Sequence, residues 1–273
     1  MASLLLDIGG TFIKGAIASA PGEFSEEFEV PIDSSGNMES VRKSLREAYS
    51  HGSSASEVAV AIPGPFDYSE GMFLMKHKFA SVYGLSLRTL AGIPPSVPVR
   101  YVHDVNCMLA GEMAFGAARG FRNVALVTLG TGLGFGLAVD GLILVGPTGS
   151  PQVGIWNMPY RDGILEDYVS ARGIRRLYGV EIGVKEIAAF AAAGDIAAQE
   201  SFRYAGSILA ETLEPVLNEY GTQCLLFGGQ ISRSFFLMES ALRSLLTFCP
   251  SLSHLGTVSD ISSATVLGLM APK

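Results

Sequence analysis

The sequence predicts a two-lobed α/β protein with a central cleft between its lobes. Three observations predict it. An apolar strand, a glycine turn and a second apolar strand occur near Gly9 (LLLDIGGTFIKGAI, 4–17) and again near Gly130 (VALVTLGTGLGFGLAV, 124–139). Each unit is followed by mixed helical and strand patterns, as layered α/β lobes require. No long or low-complexity linker separates the halves, so the lobes read as hinged rather than tethered.

The first strand is Leu4–Leu6, ending at Asp7, and Gly9-Gly10 permits a tight reversal into a partner strand, Phe12–Ile17. Glu39–Tyr49 is polar with helical spacing. Glu57–Ile62 is a strand closed by Pro63-Gly64-Pro65. Val97–Val102 is a strand with Pro98 near its start, and Met108–Phe115 reads as helical. In the second half, Val124–Leu129 and Phe135–Val139 are strands, and Asp140-Gly141 is a hairpin-turn dipeptide. Helices are expected over Ile187–Ala193, Ala198–Leu217 and Arg233–Thr247, with a strand over Cys224–Phe227 and a short closing helix over Ser262–Met270. The expected division is an N-terminal lobe, 1–115, joined by the C-terminal helix 262–273, and a C-terminal lobe, 116–261.

Of 273 residues, 48% are hydrophobic and 16% charged, the balance of a folded chain. Net charge is -7 and no basic stripe stands out, which argues against nucleic acid as a partner. No apolar run approaches the ~18 residues of a membrane span, and the start lacks the basic segment of a signal peptide. Cys107, Cys224 and Cys249 are widely spaced with no CxxC, which suits a reducing cytoplasm.

Glycine turns at strand ends let backbone N–H groups approach phosphate oxygens. Neither a P-loop nor a dinucleotide fingerprint is present: a strand, not a helix, follows the alternating Gly130, Gly132 and Gly134. A carboxylate beside phosphate repels it unless a cation intervenes, so Asp7 is either a Mg²⁺ anchor acting through water or a cap of its own turn. Thr11 offers a hydroxyl there and Lys14 a positive charge. Asp104, where a strand ends and a helix begins, is either an N-cap or a base that accepts a proton from a substrate hydroxyl.

Together these segments resemble the ROK family of sugar kinases, within the actin-like/hexokinase/Hsp70 superfamily. DIGGTFIKGAI is similar to the family's first phosphate motif and implies nucleotide and Mg²⁺ roles for Asp7, Gly9, Gly10, Thr11 and Lys14. AIPGPFD resembles a sugar-side loop, with Gly64 and Pro65; HDVNCMLAGEMAFGAARG resembles the segment that makes Asp104 the base. LGTGLGFGLAVDG (Gly130, Thr131, Gly132) resembles the second phosphate motif, LFGGQIS (Gly228, Gly229) the adenosine-side motif, and SATVLGLMA the closing helix. The resemblance implies the actin-like ATPase (ribonuclease H-like) fold, ATP and Mg²⁺ as cofactors, a hexose or hexose derivative as substrate, and a homodimer.

The departures lie in the sugar shell. His103 replaces the Asn usual before the catalytic Asp. The family's zinc segment reads GSPQVGIWNMPYRDGILE here, with no cysteine, Asn157 in the place of its His and Gly154 in the place of a Glu, so no zinc is expected. The later Glu survives as Glu166, a sugar-hydroxyl partner; Asp167 is expected on the exposed side of the same helix, and Trp156 either packs or stacks on a sugar. Lys76, His77 and Lys78 occupy a sugar-side loop that often carries Asn, and read as a solvated basic loop or as recognition of an anionic substrate. The alternative function is a non-catalytic sugar sensor. The family's repressors carry an N-terminal helix-turn-helix, and this chain begins at the phosphate motif, so direct DNA binding is not expected.

Overall fold

In the computed structural model, which describes residues 2–20 and 22–271, the chain forms two compact units. The first comprises Met1–Phe115, Val145–Gln152 and Ser262–Lys273; the second comprises Gly116–Leu144 and Val153–Ile261. The segment Val145–Gln152 thus belongs with the first unit, where the Tyr68 N–H donates to the Thr148 carbonyl at 3.5 Å.

The first unit begins with β1 (Ser3–Ile8), β2 (Phe12–Ala20) and β3 (Glu23–Pro31), an antiparallel meander. Helix α1 (Met38–Ser50) follows, capped by Asn37, whose side chain accepts the Ser40 N–H. Next come β4 (Glu57–Ile62), a small hairpin of β5 (Phe66–Asp67) and β6 (Met72–Phe73), α2 (Leu87–Ala91), β7 (Val99–His103) and α3 (Asp104–Ala114). The sheet order is β3-β2-β1-β4-β7, with β4 parallel to both neighbours. Buried Leu4, Leu6, Val58, Val60 and Ile62 alternate toward one shared core, as a two-faced sheet demands. The sequence reading has no strand at β3. Its glutamates point to water on an edge strand, which hides the alternation of Phe24, Phe28 and Val30.

The second unit repeats the plan. β8 (Val124–Leu129), β9 (Leu133–Val139) and β10 (Leu142–Ile143) form an antiparallel meander. At the β9–β10 turn, Asp140 and Gly141 both take positive φ, 53° and 84°, the conformation this turn dipeptide favours. A hairpin of β11 (Pro159–Tyr160) and β12 (Gly163–Ile164) leads to α4 (Glu166–Val169), α5 (Ala171–Tyr178), α6 (Val184–Ala192) and the long α7 (Ile196–Glu219). β13 (Cys224–Gly228) lies parallel to β8, and the order is β10-β9-β8-β13-β14. The single helix expected over Arg233–Thr247 is instead three pieces: a 3₁₀ segment Gln230–Leu237, α8 (Glu239–Leu242) and α9 (Leu245–Phe248). Ser234 leaves the helical path, at φ −105° and ψ 23°, although Ile231, Met238, Leu242 and Leu245 all reach one core. β14 (His254–Thr257) completes the sheet.

α10 (Ala264–Gly268) returns to the first unit; Pro272 and Lys273 at the end of the expected closing helix lie outside the described residues. It packs backbone to backbone on α3: a Cβ on Gly268 would sit 1.8 Å from the Cys107 carbonyl oxygen, and one on Gly111 would sit 2.8 Å from Gly268 N. Only glycines allow that approach, and it brings Thr265 to the end of β1.

Candidate active site

β1 and β4 run parallel and end side by side, with Asp7 beside Ala61 in register and Lys14 opposite Asp7 on β2. The turn between β1 and β2 closes through Gly9 N–H donating to Phe12 O at 3.0 Å. The Thr11 and Gly10 carbonyls accept Ile32 N–H and Ser34 N–H, each at 3.0 Å, so the following loop braces the turn. Thr11 is exposed, and Gly9 and Gly10 are partly so.

Asp7 is partly buried and bonded to the Thr265 side chain. Burial first, and the negative charge of Asp104 second, push its carboxyl up to about 7, with Lys14 pulling the other way. A divalent cation there would relieve both causes, so the site fits Mg²⁺ held through Asp7. The turn-cap alternative for Asp7 is not the arrangement found, since the turn closes on backbone groups and Asp7 faces Thr265 and Lys14. Lys14 Nζ donates to the Ser262 carbonyl at 3.2 Å.

Asp104 is the first residue of α3, and its N-cap is His103, not Asp104 itself. Asp104 Oδ1 accepts the Val105 N–H at 2.8 Å and lies 3.0 Å from His103 Nδ1. Burial alone would raise the Asp104 carboxyl, but the His103 hydrogen bond and charge, the Val105 N–H and the Lys78 charge outweigh it and hold it below the usual carboxylate range. The two neighbouring carboxyls are thus driven apart in acidity: Asp104 is held low and Asp7 is raised. Val105 N–H is also 3.3 Å from His103 Nδ1, but it is closer to Asp104. His103 Nδ1 thus lies beside Asp104, and its Nε2 is on the far side of the ring. A Cβ on Gly64 would sit 3.6 Å from that Nε2, so His103 looks onto the Pro63-Gly64-Pro65 loop, where the Gly64–Pro65 peptide is cis. Tyr68 OH donates to the Ile62 carbonyl at 2.9 Å, and burial followed by the Asp104 charge pushes its phenol up.

In the second unit, the turn Gly130-Thr131-Gly132 closes through Gly130 N–H donating to Gly132 O at 3.0 Å. The Gly130 carbonyl accepts Ala171 N–H at 2.9 Å. Glu166 Oε2 accepts Leu133 N–H at 2.9 Å and would lie 2.9 Å from a Cβ on Gly132. Its Oε1 is 3.5 Å from Arg172 Nη2, which also pairs with Asp167 Oδ1 at 2.5 Å. Asp167 is accordingly ion-paired and partly buried, not simply turned to solvent. Gly228 is buried at the end of β13. Gly229 takes φ 81°, and a Cβ there would lie 2.4 Å from Leu129 O, so only glycine lets β13 end against the second turn.

Trp156 is about half exposed (49%) beside exposed Asn157, so the indole does not pack as a core residue and its face is open for stacking. Cys107 is buried, donates to the Thr265 carbonyl at 3.2 Å, and has its thiol pushed up by burial, which makes it inert. Among the described residues no cluster of three or more His, Cys, Asp and Glu could hold a metal ion, and no helix is long and apolar enough to cross a membrane. Sequence reasoning missed Thr265, whose signal was the SATVLGLMA match, and Ser34 and Arg172, for which no signal existed.

The ROK family model matches residues 4–248. A glucokinase of Thermotoga maritima is 25% identical over 96% of this chain and 92% of that protein. An N-acetylmannosamine kinase of Escherichia coli O157:H7 is 26% identical over 85% of this chain and 84% of that protein. The crystal structure of a ROK family glucokinase from Streptomyces griseus, in complex with glucose and AMPPNP, superposes with a TM-score of 0.82 at 21% identity, covering 99% of this chain and 98% of that one. With its two sheets of matching order and its family match over nearly the whole length, this chain belongs to the ROK family and has the two-lobed actin-like ATPase fold.

Proposed function

We propose that this protein is an ATP-dependent sugar kinase that transfers the γ-phosphoryl group of ATP to a hydroxyl of a hexose or hexose derivative, with Asp104 as general base. The observation that carries the reading is Asp104 itself. It is a carboxylate held charged at a helix start, with a histidine orienting it and a glycine turn and Asp7 close by. Kinship with a glucokinase and an N-acetylmannosamine kinase supports the substrate class.

On this reading the sugar hydroxyl loses its proton to Asp104 as its oxygen bonds to the γ-phosphorus. The bond from that phosphorus to the β–γ bridging oxygen breaks, and ADP leaves. Gly9, Gly10 and Thr11, with Gly130, Thr131 and Gly132, offer backbone and hydroxyl donors to the phosphates; Lys14 adds charge, and Gly228 and Gly229 border adenosine. Asp7 would hold Mg²⁺, through water, and the ion would supply neutralisation of phosphate charge. Gly64, Pro65, His103, Asn157 and Glu166 are assigned to the sugar. His103 Nε2 offers a hydrogen-bond partner to a sugar hydroxyl where the family's Asn amide would do so from a different position. Buried free cysteines favour a reducing compartment, consistent with the cytoplasm, and family kinship favours a homodimer.

The test is ADP release from Mg²⁺–ATP across a panel of hexoses, N-acetylhexosamines and sugar acids. Release that depends on one sugar is expected. Sugar binding with no release from any member would overturn the kinase reading in favour of a sugar sensor.

A further inference from the structure

The basic triplet Lys76-His77-Lys78 does not act as one group in the folded chain. The Lys76 ammonium lies 5.4 Å from the centre of the Tyr83 ring, and His77 is exposed. Lys78 goes the other way. It is partly buried, and its Cε is 4.0 Å from where a Cβ on Gly10 would lie. Its charge also reaches Asp104. Among the described residues Lys78 takes part in no ion pair.

Backbone hydrogen bonds impose this position. Ser34 N–H donates to the Gly10 carbonyl at 3.0 Å, and Phe79 N–H donates to the Ser34 carbonyl at 2.6 Å. Phe79 is held at φ 53° with its ring fully buried, 5.3 Å from Phe73. Residue 78 is therefore stitched to the first glycine turn through Ser34, with the buried Phe79 as its anchor. Apart from the Asp104 charge it reaches, no carboxylate pairs with this partly buried ammonium among the described residues, so it can attract a further anion. Lys78 stands by the turn that cradles phosphate and within electrostatic reach of the base that receives the hydroxyl proton. The anion that passes between those two places is the transferred phosphoryl group.

We propose that Lys78 is a catalytic residue whose ammonium contacts the γ-phosphoryl group of ATP and stays with it as the bond to the sugar oxygen forms. The inference rests on the kinase reading and adds a residue to that site. Lys78 supplies no proton and forms no covalent bond; it stabilises the negative charge on the equatorial phosphoryl oxygens. ADP lacks the group that Lys78 touches, so the residue should separate the two nucleotides.

The experiment titrates the full chain with Mg²⁺–AMP-PNP and with Mg²⁺–ADP by calorimetry, comparing wild type with Lys78→Met, Lys78→Gln and Lys78→Arg. The neutral variants should bind AMP-PNP about tenfold more weakly, the loss of one charge-assisted hydrogen bond, and ADP about as well as wild type does. Turnover on the sugar found by the panel should fall about a hundredfold with little change in the KM for sugar, and Lys78→Arg should recover part of both losses. Two glutamine- and methionine-bearing variants guard against a packing artefact, since only a true phosphate contact moves AMP-PNP and not ADP. Equal effects on both nucleotides, or none on AMP-PNP, would overturn the assignment. So would unchanged AMP-PNP binding with lost affinity for gluconate or glucose 6-phosphate, which would make Lys78 a reader of anionic substrates. Wild type that binds AMP-PNP but turns over no sugar sinks the kinase reading, and the nucleotide comparison still decides Lys78. Wild type that binds neither nucleotide sinks both.

Discussion

The Gly9-Gly10 and Gly130-Gly132 turns share a sequence signature and a place in their sheets, yet each treats its nearby carboxylate differently. The first turn is braced by backbone, through Ser34 and Ile32, and leaves Asp7 facing a second carboxylate, with Thr265 and Lys14 as its partners. The second turn is braced by backbone, Ala171 N–H on the Gly130 carbonyl, and also by a side chain, Glu166, whose Oε2 takes the Leu133 N–H. On the proposed reading, the first carboxylate would hold the cation. The other is built into the turn, with Arg172 balancing its charge. Duplicated topology therefore does not imply duplicated surroundings: Glu166 takes an N–H beside its own turn, whereas Asp7 faces Thr265, Lys14 and Asp104.

The largest way to break this comparison is on the first side. Asp104→Asn should lower turnover by about 10²–10⁴-fold, the usual contribution of general base catalysis, while nucleotide still binds. Near-normal turnover in a steady-state assay would remove Asp104 from the mechanism.

Asp7→Asn tests whether the first carboxylate is strained without a cation. A folded carboxyl at about 7 against 3.8 unfolded destabilises the ionised state, so native stability falls as pH rises from about 4 to 7. The asparagine variant should therefore melt at a higher temperature than wild type at pH 8, by at most about 4 kcal/mol of stability before discounting for solvent contact, and show no such gain near pH 4. Added Mg²⁺ should narrow the gap at pH 8 by stabilising wild type alone. Scanning calorimetry across this range checks the sign, and a wild type that is the more stable at pH 8 without metal would refute it.

Glu166→Ala probes the second side. It strands Leu133 N–H, at a cost of about 1–3 kcal/mol, and should weaken nucleotide binding about 5- to 100-fold; Glu166→Gln, which keeps an acceptor, should recover most of it. A variant whose sugar KM rises while nucleotide affinity holds would instead assign Glu166 to the sugar alone. The smallest effect is Arg172→Ala. Its guanidinium is more than half exposed, so losing its pairs should change stability by less than about 1 kcal/mol in thermal melts and leave the Glu166 brace in place.

Much of this contrast was legible in the residues. Two strand–glycine–strand units announced two sheets because period-two burial and turn glycines are local properties. Asp104 announced itself by standing where apolar alternation gives way to a helix. The Arg233–Thr247 stretch was misread as one helix because its apolar spacing satisfies helical periodicity, while the backbone leaves the helical path at Ser234 and divides it into short segments. Trp156 was left between packing and stacking because nothing local tells whether a partner surface covers it.

By itself the sequence determined the strands that flank the two glycine turns, the turns themselves, and the residue types suited to holding phosphate and accepting a proton. Those depend on neighbours in the chain: alternation, φ freedom at glycine, and the change of pattern at Asp104. Tertiary structure alone decided what each charge faces. Lys78 meets the first turn only because Ser34 and Phe79 tie two distant loops together. Asp7 meets Thr265 only because Gly111 and Gly268 let α10 approach α3. Glu166 braces the second turn only because Leu133 N–H lies within 2.9 Å of it. Electrostatic roles depend on separations of a few ångströms between residues far apart in the chain, and no local pattern encodes such a distance.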